Sequence, residues 1–279
     1  MTGHAPAAGR YDASVSSETL IVAAAQTSSQ PGDVRANARA AAASLAVAAD
    51  AGAGLVVFPE LSLVGYDLDL FADPTAWVTK DDPRLDVVRE AARDLQVTAV
   101  VGGAYRETGA AGWIASLAAL PDGELHVHGK RNLHGRERDL FEPAGPGRLL
   151  DVGGWQVALA VCYDAGVPGH AADAARQGAE VYAGSVLYTT AETRRLDLHF
   201  AARAMDHRMF AVAANHAGTG SGWVSCGGSG AWHPDGTRLT QAATGPGLVT
   251  TALSRAELRA LREKDALAGY PRGAVPGGR

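Results

Sequence analysis

Short apolar runs alternate with longer amphipathic stretches along most of the chain. Residues 20–25, Leu-Ile-Val-Ala-Ala-Ala, read as a first strand. Pro31-Gly32-Asp33 offers a turn with Asp33 as a helix N-cap. Residues 34–50 are Ala-rich and lack Gly and Pro, which predicts a helix ended by Gly52 and Gly54. Residues 55–58 form a short apolar strand that runs into Pro59-Glu60, and residues 61–82 read as a long loop with a short helix. Residues 83–95 carry helical spacing, with Leu85, Val88, Ala92 and Leu95 on one side. Strands follow at 97–102, 114–120 and 125–130, the last two joined by a Pro121-Asp122-Gly123 turn. The pattern lapses through Gly147, giving a long polar loop of the kind that is usually functional. It returns as a strand at 155–161, a helix near 168–177, a strand at 180–184, a helix at 191–208 and a strand at 209–214. Pro234-Asp235-Gly236 marks a second hairpin turn, residues 248–253 a late strand, and residues 255–264 a late helix capped by Ser254.

Strands that alternate with helices early and late, with hairpins between, predict an α/β fold: an α-β-β-α sandwich of two mixed sheets covered by helices. No linker or repeat divides the chain, so residues 19–265 are expected to form a single domain. Residues 1–18 read as a disordered arm and residues 266–279 as a tail.

Composition narrows the function. The 279 residues are 47% hydrophobic and 20% charged, an ordinary globular balance. A net charge of −5, with scattered basic residues, argues against nucleic acid and anionic membranes as partners. The absence of an apolar run near ~20 residues argues against a transmembrane helix, and residues 1–18 lack the apolar core of a signal peptide. Two distant cysteines, Cys162 and Cys226, read as reduced thiols in a cytoplasm. Without a C-x-x-C pair they do not read as a redox motif.

Three strand ends carry reactive groups. Cys162 closes the run 157–161, Glu60 follows 55–58, and Lys130 follows 125–129. Singly these read as a buried cysteine, a surface acid and a solvated lysine. Together a thiol, a carboxylate and an ammonium are the parts for acyl transfer through a thioester: nucleophile, proton carrier and oxyanion holder. Cys162 also opens a turn before a helix, whose free N–H groups favour an anion. Glu137 lies in a charge-rich loop and reads either as solvated or as a group that orients Lys130 or a substrate amine; Asp139 and Glu142 read as solvated.

The segments around these positions resemble the carbon–nitrogen hydrolase family, or nitrilase superfamily. They are FPELSLVGYDLDL at 58–70, GKRNLHGRERDLFEPAG at 129–145, VALAVCYDAGVPGHAADAARQGAE at 157–180, ARAMDHRMFAVAANHAG at 202–218 and CGGSGAWHPDG at 226–236. Their order and spacing cover residues 20 to about 265. The resemblance implies Cys162 as nucleophile, Glu60 as base then acid, Lys130 as oxyanion stabiliser, Glu137 as second glutamate and the Tyr163 backbone N–H as second oxyanion donor. It implies a homodimer or larger homo-oligomer, no cofactor and no metal. The expected substrate is a small linear non-peptide amide, with a nitrile or an N-carbamoyl compound as alternatives on the same catalytic set and a catalytically silent binding protein as the rival from another class. Tyr66, His134, Val186 and Tyr188 are candidate substrate contacts. His170, His207 and His216 show no metal-ligand spacing. The chain departs from the family pattern at Gly169, Ala172 and Ala115, and the stretch after Cys162 is where an unusual substrate preference would be encoded.

Overall fold

The computed structural model describes residues 18–268. The arm expected over 1–18 and the tail expected over 266–279 lie outside these residues, apart from Glu18 and residues 266–268. The first half of the chain runs β1 (Thr19–Gln26), α1 (Val34–Asp50), β2 (Leu55–Val57), β3 (Trp77–Val78), α2 (Asp86–Leu95), β4 (Thr98–Tyr105), β5 (Trp113–Ala119) and β6 (Leu125–Gly129). The second half runs β7 (Leu150–Val152), β8 (Trp155–Val161), α3 (Pro168–Arg176), β9 (Val181–Val186), α4 (Thr193–His207), β10 (Phe210–Asn215), β11 (Thr219–Gly220), β12 (Trp223–Val224), β13 (Gly230–Trp232), β14 (Arg238–Gln241), β15 (Gly247–Ser254) and α5 (Arg255–Leu267).

The first half, joined by β15, builds one large sheet and the second half another, with β11 and β12 paired in a separate ribbon. The first has the order β15-β1-β2-β4-β5-β6, with β3 paired to β4; the second has the order β14-β13-β10-β9-β8-β7. Strands β1, β2 and β4 pair in parallel, as do β8, β9 and β10, and antiparallel strands flank both sets. The chain crosses over once, when β15 returns to pair with β1 from Thr19↔Ser254 to Gln26↔Gly247.

The period-two alternation of each strand sorts its side chains into separate cores. Val22, Ala24, Leu55, Val57 and Val100 of the first sheet meet Val157, Leu159, Val181, Phe210 and Val212 of the second in the middle of the sandwich. Their neighbours Ala23, Ala25, Val56 and Val101 face the other way, against Val34, Ala38, Leu45, Val88 and Ala92 of α1 and α2. On the far side Ala158, Ala160, Tyr182, Ala211 and Ala213 face Ala171, Ala174, Leu196, Phe200 and Ala204 of α3 and α4. Four layers, α-β-β-α, are the arrangement expected from the sequence.

Local signals hold where a side chain caps or a stripe packs. Asp33 accepts from the Ala36 N–H at 2.9 Å and starts α1, whose Val34, Ala38, Ala41, Leu45 and Ala48 all point inward. Ser254 caps α5, which runs to Leu267, past its expected end. Other local signals mislead. Residues 83–85 form a 3-10 turn, so α2 begins only at Asp86. The supposed loop 61–82 contains 3-10 turns at Leu68–Ala72 and Pro74–Ala76 and then β3, whose Trp77 pairs with Ala104. β4 continues past Gly102-Gly103 to Tyr105, and Gly102 is needed inside it because the Pro59–Leu61 backbone approaches too closely for a Cβ. β7 has too few residues to show an alternation and is ordered by pairing with β8.

Candidate active site

Glu60, Lys130 and Cys162 each follow a strand: β2, β6 and β8. The two parallel strands β2 and β8 belong to different sheets, so the site lies at the carboxyl ends of strands across the sandwich, where α/β folds place ligands. Two of the turns are strained. Among the described residues, non-glycine positive φ occurs at Leu61 (52°), Gln96 (55°), Cys162 (45°) and Arg208 (47°). Gln96 and Arg208 are the ordinary left-handed caps ending α2 and α4. Leu61 and Cys162 have no such excuse, and each costs roughly 1–3 kcal/mol; one is the nucleophile candidate and the other adjoins Glu60. The Glu60 turn also needs Gly102, where an added Cβ would lie 2.3 Å from the Pro59 carbonyl oxygen and 2.4 Å from the Leu61 nitrogen. Cys162 does not begin a regular helix: it opens a 3-10 turn, Cys162–Gly166, and α3 starts at Pro168. The turn expected between Cys162 and the helix is thus present, as a 3-10 turn.

The fold brings the four sequence-predicted polar groups together. Lys130 Nζ donates to Glu60 Oε1 at 2.7 Å and to Glu137 Oε1 at 2.7 Å. The Lys130 and Glu60 side chains are 0% exposed and Glu137 is 1% exposed. Glu137 is held further by the Tyr66 hydroxyl at 2.7 Å and by the His134 backbone N–H at 2.7 Å. Glu60 Oε2 is buried with no hydrogen-bond partner. The Cys162 thiol donates to the Leu187 carbonyl at 3.4 Å and also interacts with the Glu60 carboxylate. The residue keeps partial exposure.

One ammonium facing two carboxylates leaves the cluster with a surplus negative charge. Burial raises Glu60 to about 7; Lys130 opposes the rise and Glu137 adds to it. Burial also works against the Lys130 ammonium, but Glu60, Cys162 and Glu137 together hold its pKa above the usual lysine range. Burial pushes the Cys162 thiol well up, Glu60 adds to this, and Lys130 opposes it. A proton passed from thiol to Glu60 leaves the net charge of the buried cluster unchanged. Losing it to solvent would add a second uncompensated negative charge. The geometry therefore favours internal proton transfer.

The remaining candidates take different places. Tyr66 and His134 hold Glu137 in the manner just described, His134 with its ring exposed and 5.1 Å from the Tyr163 ring. Val186 is buried at the end of β9. Tyr188 is buried, its hydroxyl 2.8 Å from His199 Nδ1. Tyr163 is 41% exposed beside a cleft of about 400 Å³ that Asn132, Leu133 and Phe141 also line. Gly169 faces outward in the first turn of α3, where an added Cβ would meet nothing within 4 Å; Ala115 is buried in β5. Both cysteines are free thiols.

Residues without a chemical signature in the sequence position this group. Asn215, at the end of β10, clasps Tyr188 through both backbone groups, at 2.9 and 3.0 Å, and so fixes the segment that offers the Leu187 carbonyl. His216 Nε2 donates to the Glu60 backbone oxygen at 2.6 Å, and burial pushes its pKa down to about 4. Asp164, two residues after the thiol, accepts from the Val161 N–H at 3.1 Å and from the Asn132 N–H at 2.9 Å, tying the thiol turn to the Lys130 segment. Asn215 and His216 end a segment already singled out; Asp164 had no signal beyond its place after Cys162.

Among the described residues, one group brings metal-ligand atoms together: His128, Asp164 and His170, with one ligand atom of each within 4.8 Å of the others. The missing spacing of His170 in the sequence is thus no guide, since its neighbours come from β6 and the thiol turn. Burial lowers His128 to about 4 and lowers His170 as well, while Asp164 opposes both shifts.

Known proteins match this architecture. A family model described as carbon-nitrogen hydrolase matches residues 21–263. A protein named "Hydrolase in pqqF 5'region" from Pseudomonas protegens is 30% identical over 85% of this chain and 84% of its own. An (R)-stereoselective amidase from Pseudomonas sp. is 32% identical over 67% of this chain and 68% of its own. A mutant of the amidase from Nesterenkonia sp. AN1, which shows covalent addition of the acetamide moiety of fluoroacetamide at its active-site cysteine, superposes with a TM-score of 0.78. It is 27% identical and covers 90% of this chain and 97% of its own. That amidase is assigned to the nitrilase superfamily. With the family pattern spanning nearly all of the described fold, the chain belongs to the carbon-nitrogen hydrolase family of the nitrilase superfamily.

Proposed function

We propose that the protein hydrolyses a small linear non-peptide amide through a thioester on Cys162. Glu60 takes the thiol proton, and the sulfur attacks the amide carbon. Lys130 and the Tyr163 backbone N–H receive the developing oxyanion. The C–N bond breaks as Glu60 delivers its proton to the departing nitrogen, which leaves as ammonia or an amine. Water then gives a proton to Glu60 and its oxygen to the acyl carbon, the C–S bond breaks, and the proton returns to sulfur as a carboxylic acid leaves.

The observation that carries this reading is the asymmetry of Glu60. One carboxylate oxygen is pinned by Lys130 while the other is buried without a partner in a group that interacts with the thiol. A carboxylate raised to about 7 is matched to carrying a proton in both directions near neutral pH. Glu137 and Tyr66 act through Lys130, which they keep charged and aimed. The two amidase relatives favour an amide over a nitrile, and the acetamide moiety carried by the cysteine of the Nesterenkonia enzyme supports a nucleophilic cysteine. Among the described residues no helix is long and apolar enough to cross a membrane.

The test has two arms. Ammonia release is measured across short amides, ureido acids and nitriles, with short amides expected to turn over fastest. Rapid-quench mass spectrometry of the unmutated chain turning over the best amide is expected to show an acyl adduct on the Cys162 peptide, and none on a Glu60→Gln chain, which lacks the proton carrier that acylation needs. Turnover at the unmutated rate by a Cys162→Ala chain would overturn the mechanism.

A further inference from the structure

The proposed hydrolysis gives His128 and His170 no task, and Asp164 none beyond its hold on the thiol turn. They meet in a niche between β6, the thiol turn and α3, and are 5%, 0% and 5% exposed. Neither ring nitrogen of His128 has a hydrogen-bond partner, and neither does His170 Nε2. Each buried polar atom left unpaired costs roughly 1–3 kcal/mol. The ring of His128 is wedged against Gly147, where an added Cβ would lie 2.3 Å from it, so glycine is required to admit the imidazole. His170 Nδ1 meets the Tyr182 hydroxyl at 2.9 Å, which aims Nε2 toward Asp164 Oδ2 at 3.7 Å, too far for a hydrogen bond.

We propose that His128, Asp164 and His170 form a structural site for one divalent transition-metal ion, with zinc the best match. Two imidazoles and one carboxylate are a borderline donor set. The site offers no sulfur for a soft ion and too few oxygens for magnesium or calcium. Ligand bonds of about 2.0–2.2 Å in a tetrahedron put donor atoms roughly 3.3–3.5 Å apart, so the three groups would close on the ion by about an ångström. A cavity of about 20 Å³ touching His128 and His170 has room for one water as a fourth ligand.

The outer partners are in place. Tyr182 holds the far nitrogen of His170, and Asn132 and the Val161 N–H hold Asp164. Arg131 lines the same cavity, but its guanidinium is paired with Asp173 at 2.9 Å. An ion here would lock the turn carrying Cys162 to β6 and α3. This inference is independent of the amidase reading, since it uses none of the proposed catalytic groups.

The probe is Zn²⁺ itself, with Co²⁺ as a spectroscopic stand-in, added to chelator-stripped full-length protein carrying Cys162→Ala so that the thiol cannot ligate. One equivalent of zinc per chain is expected to survive gel filtration and to raise the unfolding temperature. His170→Gln and His128→Gln are each expected to weaken binding by about 100-fold or more, and Tyr182→Phe by about 10- to 100-fold. X-ray absorption of the zinc-loaded chain with its histidines intact does not depend on how the variants fold. It should show nitrogen and oxygen ligands at about 2.0–2.1 Å. Sulfur ligation, no retained zinc, or equal affinity in a folded His128→Gln/His170→Gln chain would overturn the site.

Discussion

Two buried polar clusters lie side by side in this protein and share their segments. Lys130 and His128 are two residues apart at the end of β6, and Cys162 and Asp164 are two residues apart in the thiol turn. In the first cluster the ammonium is answered by two carboxylates, and Glu60 Oε2 is the one polar atom left open. In the second, three imidazole nitrogens stand unpaired around one carboxylate. A cluster that is satisfied apart from one proton acceptor is built to move a proton. A cluster with several unpaired lone pairs is built to receive something from outside, or else it carries a standing cost. The same strands can thus hold two chemistries because neighbouring side chains meet different elements: Glu60 and Glu137 on one side, α3 on the other.

Five changes should separate the two clusters, in descending order of effect. Replacing Cys162 with Ala should lower kcat/KM by at least ~10⁴-fold while leaving the urea midpoint nearly unchanged; a modest loss of rate would remove the nucleophile from the account. Lys130→Met leaves two carboxylates facing each other in the dark interior, and equilibrium unfolding should show a loss of roughly 3–5 kcal/mol together with activity. Equal stability would mean that the cluster charges are not coupled as the geometry requires.

The third change is in pH. Glu60 acts as a base only when ionised, and burial has raised it from 4.5 to about 7. The kcat/KM of the unmutated enzyme should therefore fall about tenfold per pH unit below that point; a limb near 4–5 would contradict the burial argument. Stability should respond in the opposite sense. Between 4.5 and about 7 the native state holds the extra proton, so this group's contribution is present at low pH and is lost as pH rises through about 7.

Fourth, Glu137→Gln removes one charged partner from Lys130, a loss of about 1.5–3 kcal/mol, or roughly 10- to 150-fold in kcat. Tyr66→Phe, which removes only the partner of that partner, should cost less than Glu137→Gln in the same assay. The smallest loss of all is expected of His128→Leu in zinc-free protein, which should be neutral or stabilising, because it gives up no hydrogen bond and removes two unpaired buried nitrogens. A large loss in that chain would show that His128 is paired in a way the second cluster does not allow.

Much of the fold was legible because its signals are local. The stripe Val34, Ala38, Ala41, Leu45 and Ala48 reads as one helix face and packs as one. The alternation in 20–25 separates Val22 and Ala24 from Ala23 and Ala25, and the structure sends them into different cores. β3 and β7 were not legible: two or three residues show no period, and their order comes from pairing with β4 and β8. The extent of β4 was misread because Gly102 looks like a strand end. Its real reason is the close approach of the Glu60 turn, a neighbour 42 positions earlier in the chain.

By itself, the sequence determined the layers and the identity of the reactive groups, since strand alternation, helix stripes and the order of the motif segments are properties of neighbouring residues. What those groups are to each other depends on how the chain folds. The fold buried Lys130 between Glu60 and Glu137, forced Cys162 into a left-handed turn, and carried Asp164 and His170 to His128. The physical reason is that desolvation and charge pairing depend on distances through space between residues far apart in the chain. No spacing along the sequence encodes them.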